Sequence, residues 1–223
     1  MTMDSKPRVI LADDHELVAE GIQKLLEPYC TLVGRVADGR ALLKAVEELQ
    51  PDIAIVDIAL PLLNGLDASR QILKTNPTLK IVILTMHGEN NFVREAFRVG
   101  VSGYVLKQSV SSELVLAINE VLKGRTFVSP MVAQGLVDRA VNPAASEGTP
   151  AGGGDFAQGL SMRQREVLQL VAEGKAIKEI AAILNVSIKT VEFHKTRIMK
   201  ELGLRTTAEL TKYAIANGLV SIQ

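Results

Sequence analysis

Apolar and polar positions follow two different rhythms along the chain, and the rhythm changes near residue 125. Before that point, short β-branched and aliphatic runs alternate with segments that carry an apolar residue every three or four positions, which is typical of strands alternating with amphipathic helices. Such a series predicts a parallel sheet with helices on both faces, in the doubly wound, flavodoxin-like order. The five predicted strands are Val9–Ala12, Leu32–Val36, Ile53–Val56, Ile81–Leu84 and Tyr104–Leu106, and the predicted helices are Leu17–Leu26, Ala41–Leu49, Leu66–Leu73, Phe92–Val99 and Leu114–Leu122.

The last part of the chain, residues 159–223, carries only the helical rhythm, and four helices are predicted there. Ser161 followed by Gln164, and Thr206 followed by Glu209, have the spacing of capping boxes, which open helices. A turn of about three residues, Asn185–Ser187, separates the second predicted helix from the third. This spacing predicts a helix-turn-helix in an all-α domain.

A stretch rich in glycine, alanine, proline and serine, Asn142 to Asp155, lies between the two parts. It has no apolar periodicity and is predicted to be a flexible linker. A helix over residues 130–141, opened by Pro130, is predicted before it. The predicted domains are an α/β domain at 7–125, a linker helix with a flexible linker at 126–158, and an all-α domain at 159–223.

Composition and charge narrow the class of protein. The hydrophobic share of 47% suits a buried core, and no apolar run approaches the ~18 residues of a membrane span. We therefore expect a soluble, cytoplasmic protein with no membrane partner. Its one cysteine, Cys30, excludes an internal disulfide and a cysteine-based metal cluster. Residues 1–158 carry 15 basic against 19 acidic side chains, a net of −4, whereas residues 159–223 carry 10 against 6, a net of +4, which favours a nucleic-acid partner for the second part.

Three carboxylates fall at predicted strand ends: Asp13 and Asp14 follow the first strand, and Asp57 follows the third. Ligands bind beyond the carboxyl ends of parallel strands where the strand order reverses, so we expect these acids to converge. Carboxylates and carbonyls without thiol or histidine ligands favour a hard cation such as Mg²⁺. Thr85 and Lys107, which end the fourth and fifth strands, add a hydroxyl and a positive charge. This set indicates phosphoryl transfer onto a side-chain carboxylate.

Four motifs together resemble the receiver domain of bacterial two-component response regulators, over about residues 7–125. They are ADDH (Ala12–His15), VDIALPLLNGLD (Val56–Asp67), LT (Leu84–Thr85) and GYVLK (Gly103–Lys107). The resemblance implies that a sensor histidine kinase phosphorylates Asp57. It further implies that Mg²⁺ is held by Asp13, Asp14, Asp57 and the backbone carbonyl of Ala59, that Lys107 contacts the phosphoryl group, and that Thr85 and Tyr104 form a switch pair in which Tyr104 turns inward.

A helix over Ile188–Leu202 would place Val191, His194 and Ile198 on one apolar stripe, where the histidine packs rather than binds a metal. The opposite face carries a phenylalanine among cations, which is unusual for a solvated helix and typical of a helix in the DNA major groove. The predicted DNA-contacting residues are Lys189, Thr190, Glu192, Phe193, Thr196, Arg197 and Lys200. The alternative is a plain charged surface helix, in which Glu192 pairs with Lys189 or Lys195.

The second part resembles the LuxR-type helix-turn-helix of the NarL/FixJ class of response regulators. The segments that carry this resemblance are LSMRQREVLQLVAEG (Leu160–Gly174) and KEIAAILNVSIKTVEFHKTRIMKELG (Lys178–Gly203). Glu166 is then expected to be a buried or helix-bridging acid. The resemblance implies a transcription factor rather than an enzyme, with only slow self-phosphotransfer and dephosphorylation. Phosphorylation would release the DNA-binding module or promote dimerisation, and a homodimer would then bind two half-sites on double-stranded DNA.

Two other classes remain open at this point. Phosphatases with an aspartate nucleophile also use a strand-end carboxylate and Mg²⁺, but they commonly place a second aspartate two residues on, where this chain has Ala59. A DNA-binding regulator that works without phosphorylation would carry a vestigial receiver, whereas the acidic set here is intact. A phosphodonor assay distinguishes the three classes.

Overall fold

A computed structural model describes residues 6–86, 88, 90–141 and 159–220. In it, the first part of the chain forms a six-stranded parallel sheet in the order β2-β1-β3-β4-β5-β6, with the strands numbered along the chain. The five predicted strands are confirmed. A sixth strand of two residues pairs with β5, and a run this short carries no periodicity that could have predicted it. The strands are β1 (Arg8–Ala12), β2 (Thr31–Val36), β3 (Ile53–Asp57), β4 (Lys80–Thr85), β5 (Gly103–Leu106) and β6 (Phe127–Val128).

Helices cover both faces of this sheet. On one face α1 and α5 pack over a buried cluster that includes Val9 and Leu11, and on the other face α2, α3 and α4 pack over a cluster that includes Ile10 and Ala12. Burial on both faces explains why β3 and β4 are continuously apolar. The helices are α1 (Glu16–Leu26), α2 (Gly39–Leu49), α3 (Gly65–Thr75), α4 (Asn90–Val99) and α5 (Val110–Leu122).

The second part is helical, as predicted, and both expected capping boxes are present at the starts of α7 and α10. Asn185 ends α8 in the left-handed conformation, with a φ of 51°, which produces the tight turn into α9. The predicted helix at 130–141 is also present, as α6, and it packs against α4. The helices are α6 (Pro130–Val141), α7 (Met162–Ala172), α8 (Ile177–Leu184), α9 (Ile188–Leu202) and α10 (Thr207–Ala216).

The two parts touch along α7. This helix lies on the α2–α3 side of the sheet, against the loop of residues 58–64, which we call the β3–α3 loop. A single buried apolar cluster continues from that side of the sheet into α7–α10. The predicted linker at 142–155 lies outside the described residues. Within the described ranges, none of the helices has the length and apolar character needed to span a bilayer.

Candidate functional sites

The ends of β1 and β3 lie side by side and bring the three predicted acids together. One ligand atom from each of Asp13, Asp14, Asp57 and His15 lies within 4.8 Å of the others. Asp13 and Asp57 are buried, whereas Asp14 is half-buried and His15 is exposed. Sequence reasoning had not included His15, whose Nδ1 lies 2.8 Å from Asp14 Oδ1. Its position directly after the acidic pair was the only signal for it.

Lys107 completes the acidic cluster from the end of β5. Its Nζ lies 2.7 Å from Asp57 Oδ2 and 2.9 Å from Asp13 Oδ2. Burial raises the pKa of Asp57, and the charge of Lys107 only partly opposes this effect. Burial by itself lowers the pKa of Lys107, but the charges of Asp57 and Asp13 and the hydrogen bond to Asp57 outweigh it, so its pKa is raised. The lysine is therefore a fixed cation beside the carboxyl group of Asp57.

The donor set of this cluster fits Mg²⁺. A buried oxygen in Asp13 and another in Asp14 have no hydrogen bond of normal geometry within the described ranges, although Lys107 and His15 lie at ion-pair distance from them. Carboxylate oxygens with spare lone pairs are ligands that a hard divalent cation prefers. The backbone of Ala59 lies at the same place, because its N–H donates to Asp57 Oδ1 at 3.3 Å.

The two residues predicted as a switch pair are both buried. Thr85 ends β4, and Tyr104 is the second residue of β5. The side chain of Tyr104 is fully buried in this structure, and its movement on phosphorylation stays a prediction. Next to it, β6 pairs with β5, and Val132 of α6 belongs to the same buried cluster. A strand of two residues is too short for the sequence pattern to predict this cover.

The β3–α3 loop turns back tightly on the end of β3. A Cβ atom on Gly65 would lie 1.9 Å from the carbonyl oxygen of Asp57, so only glycine fits at this position. Leu62, in the middle of the loop, has a φ of 64°, in the left-handed region that residues with a Cβ atom rarely adopt. The loop that follows Asp57 is thus both tightly packed and strained.

The outer face of α9 is open to solvent. Val191 and Ile198 face the core, whereas Phe193 is 59% exposed among cations. Of the seven residues predicted to contact DNA, Thr190 alone is half-buried, and its N–H donates to Ser187 Oγ at the start of the helix. The other six, Lys189, Glu192, Phe193, Thr196, Arg197 and Lys200, are exposed.

Two details of α9 bear on the alternative of a plain surface helix. Glu192 forms an ion pair with neither Lys189 nor Lys195 in the part of the chain that the structure describes, and Lys195 Nζ instead donates to Thr207 Oγ1. His194 is half-buried, and burial together with nearby arginines lowers its pKa. The ring thus lies partly buried on the core side of α9, where the apolar stripe predicts it to pack.

Sequence reasoning missed the residues that join the two parts. Glu166, expected to be buried, accepts from Arg163 of its own helix at 2.7 Å and from Gln71 of α3 at 3.0 Å. Gln169 and Arg165 of α7 also bond to the first part. The one sequence signal for this contact was the presence of polar residues among the apolar residues of α7. Their partners depend on how the two parts meet, which no local pattern encodes.

Comparison with known proteins decides the family. Residues 9–119 match the family model of the response regulator receiver domain, and residues 158–214 match that of bacterial regulatory proteins of the luxR family. The oxygen regulatory protein NreC of Staphylococcus carnosus is 36% identical over 216 residues, which cover 96% of this chain and 99% of NreC. NreC of Staphylococcus aureus strain MRSA252 is 37% identical over the same shares. The chain belongs to the NarL/FixJ class of response regulators.

Solved structures agree with this identification. The response regulator is similar to RcsB of Salmonella enterica serovar Typhimurium bound to a promoter with a phosphomimetic, with 31% identity, a TM-score of 0.58, and coverage of 95% of this chain and 99% of RcsB. A LuxR-family response regulator from Aurantimonas sp. SI85-9A1 has 39% identity and a TM-score of 0.59 over 61% of this chain and 99% of that one. The protein is therefore a two-component transcription regulator, with a receiver domain followed by a LuxR-type DNA-binding domain, and its family is not one of classical enzymes.

Proposed function

We propose that Asp57 accepts a phosphoryl group from a sensor histidine kinase, and that this modification switches homodimerisation and sequence-specific binding to double-stranded DNA. The observation that carries the proposal is the contact of Lys107 Nζ with Asp57 at 2.7 Å, inside a cluster of three carboxylates. The proposal includes the division into a receiver at 7–125, a linker at 126–158 and a DNA-binding domain at 159–223.

In the transfer, a carboxylate oxygen of Asp57 attacks the phosphorus atom of a phosphohistidine. The O–P bond forms as the P–N bond breaks, and the leaving imidazole nitrogen keeps that electron pair and takes a proton from solvent. Lys107, which already binds this carboxylate, contacts a phosphoryl oxygen of the product. Mg²⁺ held by Asp13, Asp14, Asp57 and the carbonyl of Ala59 would neutralise charge on the phosphoryl oxygens.

The same site explains why turnover would be slow. Hydrolysis of the acyl phosphate needs a water molecule and a group that moves its proton. Two residues after Asp57 stands Ala59, whose side chain cannot carry a proton. We therefore expect slow dephosphorylation, which suits a signal that must persist. Slow self-phosphotransfer from small donors is expected separately, from the resemblance to phosphoacceptor regulators.

The phosphoryl group adds roughly −1.5 to −2 charges and three acceptor oxygens to the end of β3. The hydroxyl of Thr85, at the neighbouring end of β4, would donate to one of these oxygens. The movement of Thr85 toward the phosphoryl group would change the packing of the surface formed by Tyr104, α4 and α6. A dimer formed on such a surface would place two copies of α9 on two DNA half-sites.

On DNA, the exposed face of α9 divides into two kinds of contact. The flexible cations Lys189, Arg197 and Lys200 meet phosphates, which position the helix. Glu192, Phe193 and Thr196 meet base edges, which specify the sequence. The open face, and a Glu192 carboxylate that pairs with neither Lys189 nor Lys195 among the described residues, favour this function over a plain charged surface.

The test is incubation of the full chain with a small phosphodonor and Mg²⁺. Stable, stoichiometric labelling that is lost in Asp57→Asn, and is also blocked in Asp14→Ala because Mg²⁺ binding is weakened, supports the proposal. Rapid release of inorganic phosphate would instead indicate a phosphatase. No labelling at all, with DNA binding intact, would indicate a regulator with a vestigial receiver.

A further inference from the structure

His15 stands at the start of α1, but its side chain does not cap the helix. It is the N-cap residue, with a φ of −89° and a ψ of 100°, and its ring makes no capping hydrogen bond to the described backbone. Serine, threonine, aspartate and asparagine are the residues that stabilise a helix start through such a bond. The ring lies against the acidic cluster instead, with its Nδ1 2.8 Å from Asp14 Oδ1 and 3.3 Å from Asp13 Oδ1.

The backbone of His15 is tied to the same cluster. Its N–H donates to Asp13 Oδ1 at 2.9 Å, in a turn that aspartate side chains commonly form with the residue two positions on. The side chain of Asp13 is fully buried, whereas the ring of His15 is 54% exposed. His15 is therefore anchored at the cluster through its main chain, while its ring borders the solvent from which a small ion enters.

The acidic cluster has two sides. Lys107 Nζ contacts the Oδ2 atoms of Asp13 and Asp57, at 2.9 and 2.7 Å. The ring of His15 lies next to the Oδ1 atoms of Asp13 and Asp14. Because the lysine and the histidine meet different oxygens, a cation bound beside His15 does not have to displace Lys107.

The contact between His15 and Asp14 has the spacing of two ligands of one ion. Asp14 Oδ1 is buried, and despite its 2.8 Å separation from Nδ1 it has no hydrogen bond of normal geometry among the described residues. Adjacent ligands of an octahedral ion with bonds of about 2.1 Å lie about 3 Å apart. The separations of Nδ1 from Asp14 Oδ1 and Asp13 Oδ1, 2.8 and 3.3 Å, lie on either side of this value.

An imidazole ligand changes the class of cation that the site favours. Oxygen ligands alone favour Mg²⁺, which keeps several water molecules when it is bound by protein. Imidazole suits zinc, iron, nickel and copper ions, and the affinity of mixed nitrogen and oxygen sites rises from Mn²⁺ through Co²⁺ to Cu²⁺. The expectation of a hard cation assumed a ligand set without histidine, and the position of His15 removes that assumption.

We infer that His15 is an additional metal ligand, which gives the cluster around Asp57 a preference for a borderline divalent transition-metal ion over Mg²⁺. This inference rests on the proposed function and adds a cation class to it. The transition-metal ion competes with Mg²⁺ for Asp13 and Asp14, so the supply of the two ions sets which one lies beside Asp57 when the phosphoryl group arrives. A histidine that only paired electrostatically with Asp14 would instead affect both ions alike.

The test compares Co²⁺ and Mg²⁺ binding to the full chain by calorimetric titration at one pH. In His15→Asn the new amide can still donate to Asp14, but its nitrogen has no lone pair for a metal. Asparagine is also a favoured N-cap residue, so α1 is retained. We expect the affinity for Co²⁺ to fall at least about tenfold, as much as the loss of an outer-shell partner costs, and that for Mg²⁺ to change less than about twofold.

Glu16→Gln is the matched control. Glu16 is the next residue, exposed in the first turn of α1, and its loss removes a negative charge from the same region. Because an exposed charge is screened by salt, both affinities should fall by the same factor, below about twofold. The ratio of the Co²⁺ and Mg²⁺ affinities therefore stays constant in Glu16→Gln and falls in His15→Asn.

Proton NMR of the Co²⁺ complex reports the ligand directly. The paramagnetic ion moves the ring signals of a coordinated histidine far outside their ordinary range. We expect one such set of signals in the wild type, its disappearance when excess Mg²⁺ displaces Co²⁺, and its absence in His15→Asn.

The outcomes separate the two proposals. A wild-type chain that binds neither ion overturns the Mg²⁺ set of the proposed function and the inference with it. Mg²⁺ binding with an unchanged Co²⁺ affinity in His15→Asn, or with equal losses for both ions, overturns the inference alone, as does Co²⁺ that Mg²⁺ does not displace. If Co²⁺ depends on His15 but a phosphodonor does not label Asp57, the proposed function falls and the metal ligand stands.

Discussion

At the scale of single residues, we expect Thr85 to be needed for the response to the phosphoryl group but not for its acceptance. Its hydroxyl lies at the end of β4, next to the end of β3 that carries Asp57, and it takes no part in the predicted Mg²⁺ set. Thr85→Ala should therefore be labelled by a small phosphodonor at close to the wild-type extent, yet gain little DNA affinity from it. Labelling and DNA titration of the same preparation measure both quantities. A normal gain in DNA affinity would contradict the assigned role.

A second prediction at this scale concerns base recognition by Glu192. Its carboxylate is exposed and unpaired with Lys189 and Lys195 in the described structure, and a carboxylate cannot favourably meet a phosphate. We expect it to accept a hydrogen bond from the amino group of a cytosine or adenine. Glu192→Ala should relax the preference at one base pair by ~1–3 kcal/mol, with little change in non-specific affinity. Binding-site selection measures this, and an identical consensus for both proteins would refute the contact.

At the scale of elements, hydrogen bonds of Ser129 connect β6, which the sequence did not predict, to β5, the strand that carries Tyr104. Its buried hydroxyl accepts from the N–H of Leu106 at 3.1 Å and donates to Glu113 of α5, while its own N–H donates to the carbonyl of Tyr104 at 2.9 Å. Ser129→Ala leaves a buried donor and a carboxylate unsatisfied. We expect the free energy of unfolding to fall by about 1–3 kcal/mol.

Urea unfolding of Ser129→Ala against Ser112→Ala checks this prediction. Ser112 is exposed, and its hydroxyl donates to the carbonyl of Ser109 in the preceding turn. Its loss should change the free energy of unfolding by less than about 0.5 kcal/mol. Equal losses in the two variants would show that the bonds of Ser129 do not fasten β6.

The elements that the sequence predicted share one property: each is long enough to show its own period. Five strands and the four helices α7–α10 follow from apolar spacing, and the caps at Ser161 and Thr206 from residue type. Convergence of Asp13, Asp14 and Asp57 followed from strand order alone. Burial of Tyr104 did not follow, because it depends on a two-residue strand and the helix behind it.

The contacts of Gln169 mark another limit of sequence reasoning. From the sequence alone, polar residues on the buried side of α7 only make the helix look less amphipathic. The hydrogen bonds of Gln169 are made to backbone groups of residues about 105 positions earlier, which come near only when the two domains pack together. The spacing of apolar residues predicts which face of a helix is buried, but not which residues that face contacts.

At the scale of the whole molecule, the basic surface for DNA lies within one domain. Residues 159–223 carry a net charge of +4, and all seven predicted contacts lie on α9. The isolated segment from about Leu160 should therefore bind DNA without phosphorylation. Three cations, Lys189, Arg197 and Lys200, are proposed to contact phosphates. A plot of the logarithm of the segment's affinity against the logarithm of salt concentration should therefore have a slope of about −3.

Fluorescence anisotropy over a salt series measures this slope. Lys189→Ala should make the slope shallower by about 1 and weaken binding to all sequences alike. Binding that is absent, or that does not respond to salt, would contradict the assignment of the domain. A sequence-dependent loss in Lys189→Ala would contradict its placement on a phosphate.

The open face of α9 has a kinetic consequence. On the proposed function, a recognition helix that stays uncovered while α7 is held would keep loose, sequence-independent contact with DNA before phosphorylation, and such contact lets a protein slide along the duplex. Molecules would then already be distributed over the chromosome when a signal arrives. We expect the search for a promoter to precede activation, and the phosphoryl group to act on how long a pair of molecules remains there, which is a matter of dissociation rate.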